Sequence, residues 1–227
     1  MLKTNTKVCI LEDHKIEMRY GMSTFKRANL VLEGIRPMLI NAFFVDALST
    51  KKKEKTGSAG NDPEEWKRTI HVRTSDNQLY LPENYFYSCF CYGAKHIKSG
   101  RGSIQPKMAS TLLINEDKIF LNRFVPDDWG LTQDSEEPVY LDVRGVKNPT
   151  TRGKNARYRV ALRKDWSCSL SICWDSSIIS IGEMESSILH AGAYVGLGDG
   201  RNIGFGRFAV SCFEHQSIQD PFLKIKN

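Results

Sequence analysis

No part of this 227-residue chain is apolar for the roughly 18 residues that a membrane-spanning helix needs, so no membrane contact through a helical span is expected. Met1-Leu2-Lys3-Thr4 leads straight into a short strand-like run, Val8-Cys9-Ile10-Leu11, with no charged segment and apolar stretch of a secretory leader, so a cytoplasmic protein is expected. The six cysteines, Cys9, Cys89, Cys91, Cys168, Cys173 and Cys212, contain no CxxC pair, and Cys89-x-Cys91 falls inside an expected helix. Zinc sites and a disulfide framework are thereby disfavoured, and reduced, buried thiols are expected. None of the five histidines, His14, His71, His96, His190 and His215, has another three or four residues away, and no G-x-S-x-G elbow is present. Metalloprotease, deaminase and hydrolase signatures are therefore missing, and no cofactor or metal is expected.

Acidic residues are also missing, but only locally. None occurs from Asn84 to Asn115, and none from Arg144 to Lys164, where eight lysines and arginines stand. The acids gather elsewhere, at Asp127, Asp128, Asp134, Glu136 and Glu137. A net charge of +6 distributed this way predicts one basic surface, the electrostatic footprint of a polyanion ligand. Arg152, Lys154, Arg157 and Arg159 are its candidate phosphate contacts. Residues 49–63 carry Lys51, Lys52, Lys53 and Lys55 among glycines and polar residues with no apolar anchor, which predicts a mobile basic insertion able to clamp a phosphate backbone.

Hydrophobic spacing supplies the elements. Asn29 to Ile35 reads as the first strand of the main sheet. Pro82 suits a first helical position, and Phe86, Phe90, Ala94 and Ile97 follow at helical intervals. Tyr85, Tyr87 and Tyr92 on this helix are readable as packing or as base-stacking rings. The loop from Lys98 to Ser103, with Arg101 between two glycines, suits phosphate contact. Leu112–Ile114 and Lys118–Leu121 around Asn115-Glu116-Asp117 predict a hairpin. From Tyr158 to Trp174 every second residue is apolar, with arginines and then serines between, which predicts a second hairpin broken at Arg163-Lys164-Asp165. Ser180-x-x-Glu183 has capping-box form and opens a helix carrying Ile181, Met184, Ile188, Ala191 and Val195 on one face. No internal repeat and no break in composition divides the chain.

The densest local signal follows that helix. Six glycines lie between Gly192 and Gly206, in a helix-to-strand order opposite to that of nucleotide-binding loops, and their spacing fits neither GxGxxG nor the P-loop. Gly196, Gly198, Gly204-Phe205-Gly206 and the apolar Phe208-Ala209-Val210 resemble the C-terminal glycine-rich loop and last strand of the RAMP superfamily, the RNA-binding Cas5-, Cas6- and Cas7-type proteins of CRISPR systems. Leu79-Tyr80-Leu81-Pro82 resembles the strand-proline lead into the first helix of the Cas7-type members, although Glu83-Asn84-Tyr85-Phe86 departs from the small and basic residues usual there.

With the order of elements, the resemblance implies an α+β chain, a single elaborated ferredoxin-like (RRM-like) β-α-β-β-α-β domain with insertions. It implies a largely non-catalytic subunit that binds single-stranded RNA and assembles with copies of itself or with CRISPR-type complex subunits. Gly198, Gly200, Arg201 and Gly204 would join the RNA contacts, while Asp199 reads as an uncommitted surface carboxylate. The alternatives are a Cas6-type endoribonuclease, for which His14 is a candidate acid–base group, a target-cutting Cas7-type activity through Asp46, and a protein inhibitor that imitates a CRISPR subunit.

Overall fold

Alternating apolar residues create most of the strands, and the pairing of those strands produces two sheets that share one core. The computed structural model describes residues 7–11, 14–18, 24–42, 64–147 and 154–219, with side chains described for 24–42, 64, 66–145 and 156–219. In chain order the elements are β1 (Lys7–Leu11), β2 (His14–Met18), β3 (Phe25–Gly34), β4 (Met38–Ile40), β5 (Gln78–Pro82), α1 (Glu83–Ala94), β6 (Lys98–Ser99), β7 (Gly102–Ser103) and α2 (Gln105–Thr111). They continue with β8 (Leu113–Ile114), β9 (Lys118–Phe124), β10 (Val139–Lys147), β11 (Lys154–Leu162), β12 (Ser167–Asp175), α3 (Ile181–His190) and β13 (Phe208–Ser217). Short antiparallel hairpins join β1 to β2 and β6 to β7.

The main sheet runs β13-β3-β12-β9-β5, antiparallel throughout. Taking β3, α1, β9, β12, α3 and β13 in sequence gives β-α-β-β-α-β with the strands in spatial order fourth, first, third, second, the ferredoxin-like arrangement. Ala28, Leu30 and Leu32 of β3 and Cys168, Leu170, Ile172 and Trp174 of β12 form a buried row against which α1 and α3 pack. The two helices touch where side chains are small: a Cβ on Gly93 would lie 2.2 Å from the Ser187 carbonyl oxygen and 2.6 Å from the Ala191 nitrogen. Buried Cys89 and Cys168 sit in this core, and burial pushes each thiol up to about 12. The described cysteines, Cys89, Cys91, Cys168, Cys173 and Cys212, are all free.

Three expectations are corrected. Pro82 is the residue before α1, with an extended ψ of 154°, so the helix starts one position later. The segments around Asn115-Glu116-Asp117 do not pair with each other: β8 and β9 both lie along β12 as one interrupted strand. Glu116 holds that interruption by accepting hydrogen bonds from the Ser171 N–H and hydroxyl, both at 2.8 Å. Nor is Tyr158–Trp174 a hairpin. β11 pairs with β10 and β4 in a three-stranded sheet, while β12 belongs to the main one. The alternation is real, because Val160, Leu162, Trp166 and Cys168 are all buried, but it continues across a change of sheet.

The second sheet is covered on both faces near its base. Val160, Leu162 and Val139 enter the main core, whereas Tyr140, Ala161 and Leu39 form a small cluster closed by Phe205 of the glycine loop. β4 pairs with β11 at Val160–Leu162, near its end, so the β10–β11 pair extends past it as a two-stranded arm.

Candidate nucleic-acid interface

The glycine loop begins where α3 passes into a π-helical turn, Ala191–Val195. All five glycines of the motif, Gly196, Gly198, Gly200, Gly204 and Gly206, have positive φ. Backbone bonds fasten the loop to the start of the second sheet: the Asp199 N–H donates to the Leu39 carbonyl at 2.7 Å, the Gly206 N–H to Pro37 at 2.7 Å, and the Leu197 N–H to Gly206 at 2.9 Å. The loop therefore locks the two sheets together, and Gly196, Gly198 and Gly206 are demanded by backbone contact.

Its outer side lines an open groove of about 470 Å³ with Tyr92, Tyr194, Val195, Gly198, Asp199, Gly200, Arg201, Asn202 and Arg207. Helix α1 supplies Tyr92, the π-helical turn supplies Tyr194, and the loop supplies the cations. Tyr92 and Tyr194 are 48% and 57% exposed, so about half of each ring-bearing side chain faces solvent. Neither Arg201 nor Arg207 forms an ion pair among the described residues. Arg207 in addition holds one guanidinium nitrogen, Nη1, buried with no hydrogen-bond partner among the described residues.

The acid in the groove is already neutralised. Arg159 is 6% exposed and donates to Asp199 at 3.0 Å and to Asp142 at 3.4 Å, while Arg144 donates to Asp142 at 2.7 Å. Burial pushes the Asp199 carboxyl up, but the bonds from Arg159 and the Gly200 N–H, with the charges of Arg159 and Arg157, outweigh it and hold the carboxyl below its usual range. Two expectations change accordingly: Arg159 is an internal tie between hairpin and loop, and Asp199 is a committed partner.

The remaining site residues fall into three groups. Gly198, Gly200 and Arg201 line the groove, whereas Gly204 lies outside it, with Arg36 Nη2 as the nearest atom, 3.9 Å from a Cβ placed there. Arg157 is exposed on the arm opposite Arg144, and Arg101 is exposed at the tip of the β6–β7 hairpin. Like charges directly across a ladder are unfavourable. Arg144 is relieved by Asp142 and by stacking 4.7 Å over the Phe205 ring, which leaves Arg157 available. Lys51, Lys52, Lys53, Lys55, Asp46 and Arg152 lie outside the described residues, and so do the side chains of His14 and Lys154, whose backbones fall in β2 and β11.

The serine row of β12 is not a cationic surface. Ser167 pairs with Glu33, Ser171 is bonded to Glu116, and Glu214 stands beside Asn29 on the neighbouring strand pair.

Sequence reasoning passed over His96 and His190. Their rings lie 6.3 Å apart, and each lies close to Tyr194, at 5.2 and 5.3 Å. The available signal was Tyr92-x-x-x-His96 at the end of the first expected helix and His190-x-x-x-Tyr194 at the end of the second, each pair at the four-residue spacing that shares a helix face in a regular helix.

No protein-family model matches the chain, and no curated protein is significantly similar to it. Among solved structures it is similar to a chain of the Type III-B Cmr-beta bound to cognate target RNA, at 12% identity with a TM-score of 0.49. The match covers 85% of this chain and 61% of that one, so the present chain spans less than two thirds of its neighbour's length. Among the described residues, no helix is long and apolar enough to cross a membrane.

Proposed function

We propose that the chain is a single-stranded RNA-binding subunit of RAMP type, Cas7-like in organisation, which holds the RNA phosphate backbone in the groove beside its glycine loop. The observation that carries this reading is the pair of groove-lining arginines, Arg201 and Arg207, neither ion-paired among the described residues, in a groove whose lining acid, Asp199, is already neutralised by Arg159. The ferredoxin-like order of strands and the glycine-loop motif support the RAMP assignment, and from that assignment come the choice of RNA and assembly along it. Phosphate contacts give affinity with little sequence preference and make it depend on salt.

The test is a titration of fluorescent single-stranded RNA at several salt concentrations with the parent and with Arg201→Ala/Arg207→Ala. The log–log salt slope should become shallower by about 0.7 for each phosphate that the variant no longer neutralises. Equal affinity of parent and double variant at every salt concentration would remove the groove from consideration.

A further inference from the structure

We infer that Tyr194, its ring braced by tilted contacts with His96 and His190 at 57° and 44°, is a stacking platform for one unpaired base of the strand whose phosphates lie along Arg201 and Arg207; this rests on the reading of the groove as an RNA site.

Three observations lead there. The rings form a contiguous cluster, and one of its exposed members, Tyr194, also lines the groove. The cluster is built by a departure from regular helix: the π-helical turn Ala191–Val195 follows α3 directly and carries Tyr194 outward beside His190. Turns of this kind inside helices concentrate at functional sites. The cluster is also held in place, because the His96 and His190 rings meet nearly at right angles, at 87°, and each leans on Tyr194.

Charge and shape select the occupant. The adjoining cations call for a polyanion, and the exposed ring faces call for flat, apolar surface at the same point. A single nucleic-acid strand offers both, since an unpaired base presents a π face to an aromatic side chain. A duplex keeps its bases stacked on one another, so it would reach the arginines without using the rings. The platform thus accounts for a preference for unpaired RNA that the phosphate contacts alone would not provide.

The experiment compares oligoadenylate with inorganic polyphosphate of similar charge, a polyanion without bases, on the parent, Tyr194→Leu, Tyr194→Phe and Arg201→Ala/Arg207→Ala, each first checked for an unchanged melting temperature. Tyr194→Leu should weaken oligoadenylate binding on the order of tenfold, with an unchanged salt slope and unchanged polyphosphate binding, and Tyr194→Phe should behave as the parent. The double arginine variant should weaken both ligands. If Tyr194→Leu binds oligoadenylate as the parent does while the arginine variant is weakened, the platform is wrong and the groove stands. Should Tyr194→Leu weaken both ligands alike, the ring has no role in reading bases. If the arginine variant is unaffected, the groove reading fails first. Cleavage of the RNA that vanishes in His190→Ala would also overturn the platform, making the imidazoles acid–base groups.

Discussion

Residue by residue, the glycines of the loop are not equivalent. A Cβ on Gly206 would fall 1.8 Å from the Leu197 carbonyl oxygen, and one on Gly198 would fall 2.3 Å from that of Leu39, so neither position admits alanine without moving the backbone that joins the two sheets. Gly204 has φ +91° but no close neighbour, and alanine there meets only the conformational penalty of about 1–2 kcal/mol. Gly204→Ala should lower the melting temperature by roughly 2–8 °C, and Gly206→Ala by clearly more or to the point of no folding. Equal shifts in a thermal melt would show that φ alone, and not the contact with Leu197, fixes Gly206. The run of glycines was plain in the sequence, but that Gly198 meets backbone depends on Leu39, far away along the chain, and that Gly206 does depends on how the loop folds back on Leu197.

Among the helices and strands, local patterns were legible and pairing was not. The capping box at Ser180 and Glu183 forms with both of its hydrogen bonds, because every group it needs lies within one helical turn. Ser180→Ala should cost about 1 kcal/mol, seen as a lower melting temperature with unchanged helical content at room temperature. Period-two alternation located β11 and β12 because it reports which side chains face a core. It carries no information on which strand supplies the hydrogen bonds. At Asp165 the chain turns with φ +67°, its N–H bonds to Gly34, and Trp166 accepts from the Gly34 N–H, so β12 is drawn to β3 and away from β11. The groove was half legible for the same reason: Arg201 and the glycines belong to one motif, whereas the rings that complete it come from α1 and the π-helical turn, brought together where Gly93 meets Ser187 and Ala191.

Across the whole molecule, the Asp142–Arg159–Asp199 network joins the β10–β11 arm to the glycine loop, so fold stability and ligand charge meet in one carboxylate. The folded-state pKa of Asp199 lies below that of the unfolded chain, and Asp175 and Glu183 are lowered as well, each through hydrogen bonds to its carboxylate that outweigh the cost of burial. Groups shifted downward contribute stability that is complete above the unfolded value, near pH 4, and is lost as pH falls through the folded one. Burial and the charge of Lys118 hold the His71 pKa below its ordinary value of 6.5, so the unfolded chain takes up that proton first and the melting temperature should begin a shallow decline below about pH 6.5, steepening below about pH 5 as the carboxylates protonate. Asp199→Asn should cost about 1 kcal/mol at pH 7, less than a fully buried pair because the Asp199 side chain is 40% exposed, and its melting curve should converge with the parent's as the pH drops below about 3. The same substitution removes a negative charge from the groove while keeping the shape of the side chain. At pH 7 it should therefore tighten RNA binding, by about twofold at low salt and less as salt screens the charge. A variant less stable than the parent yet tighter on RNA would place Asp199 in both networks; unchanged RNA affinity at low salt would put the strand beyond its reach, away from the loop face of the groove.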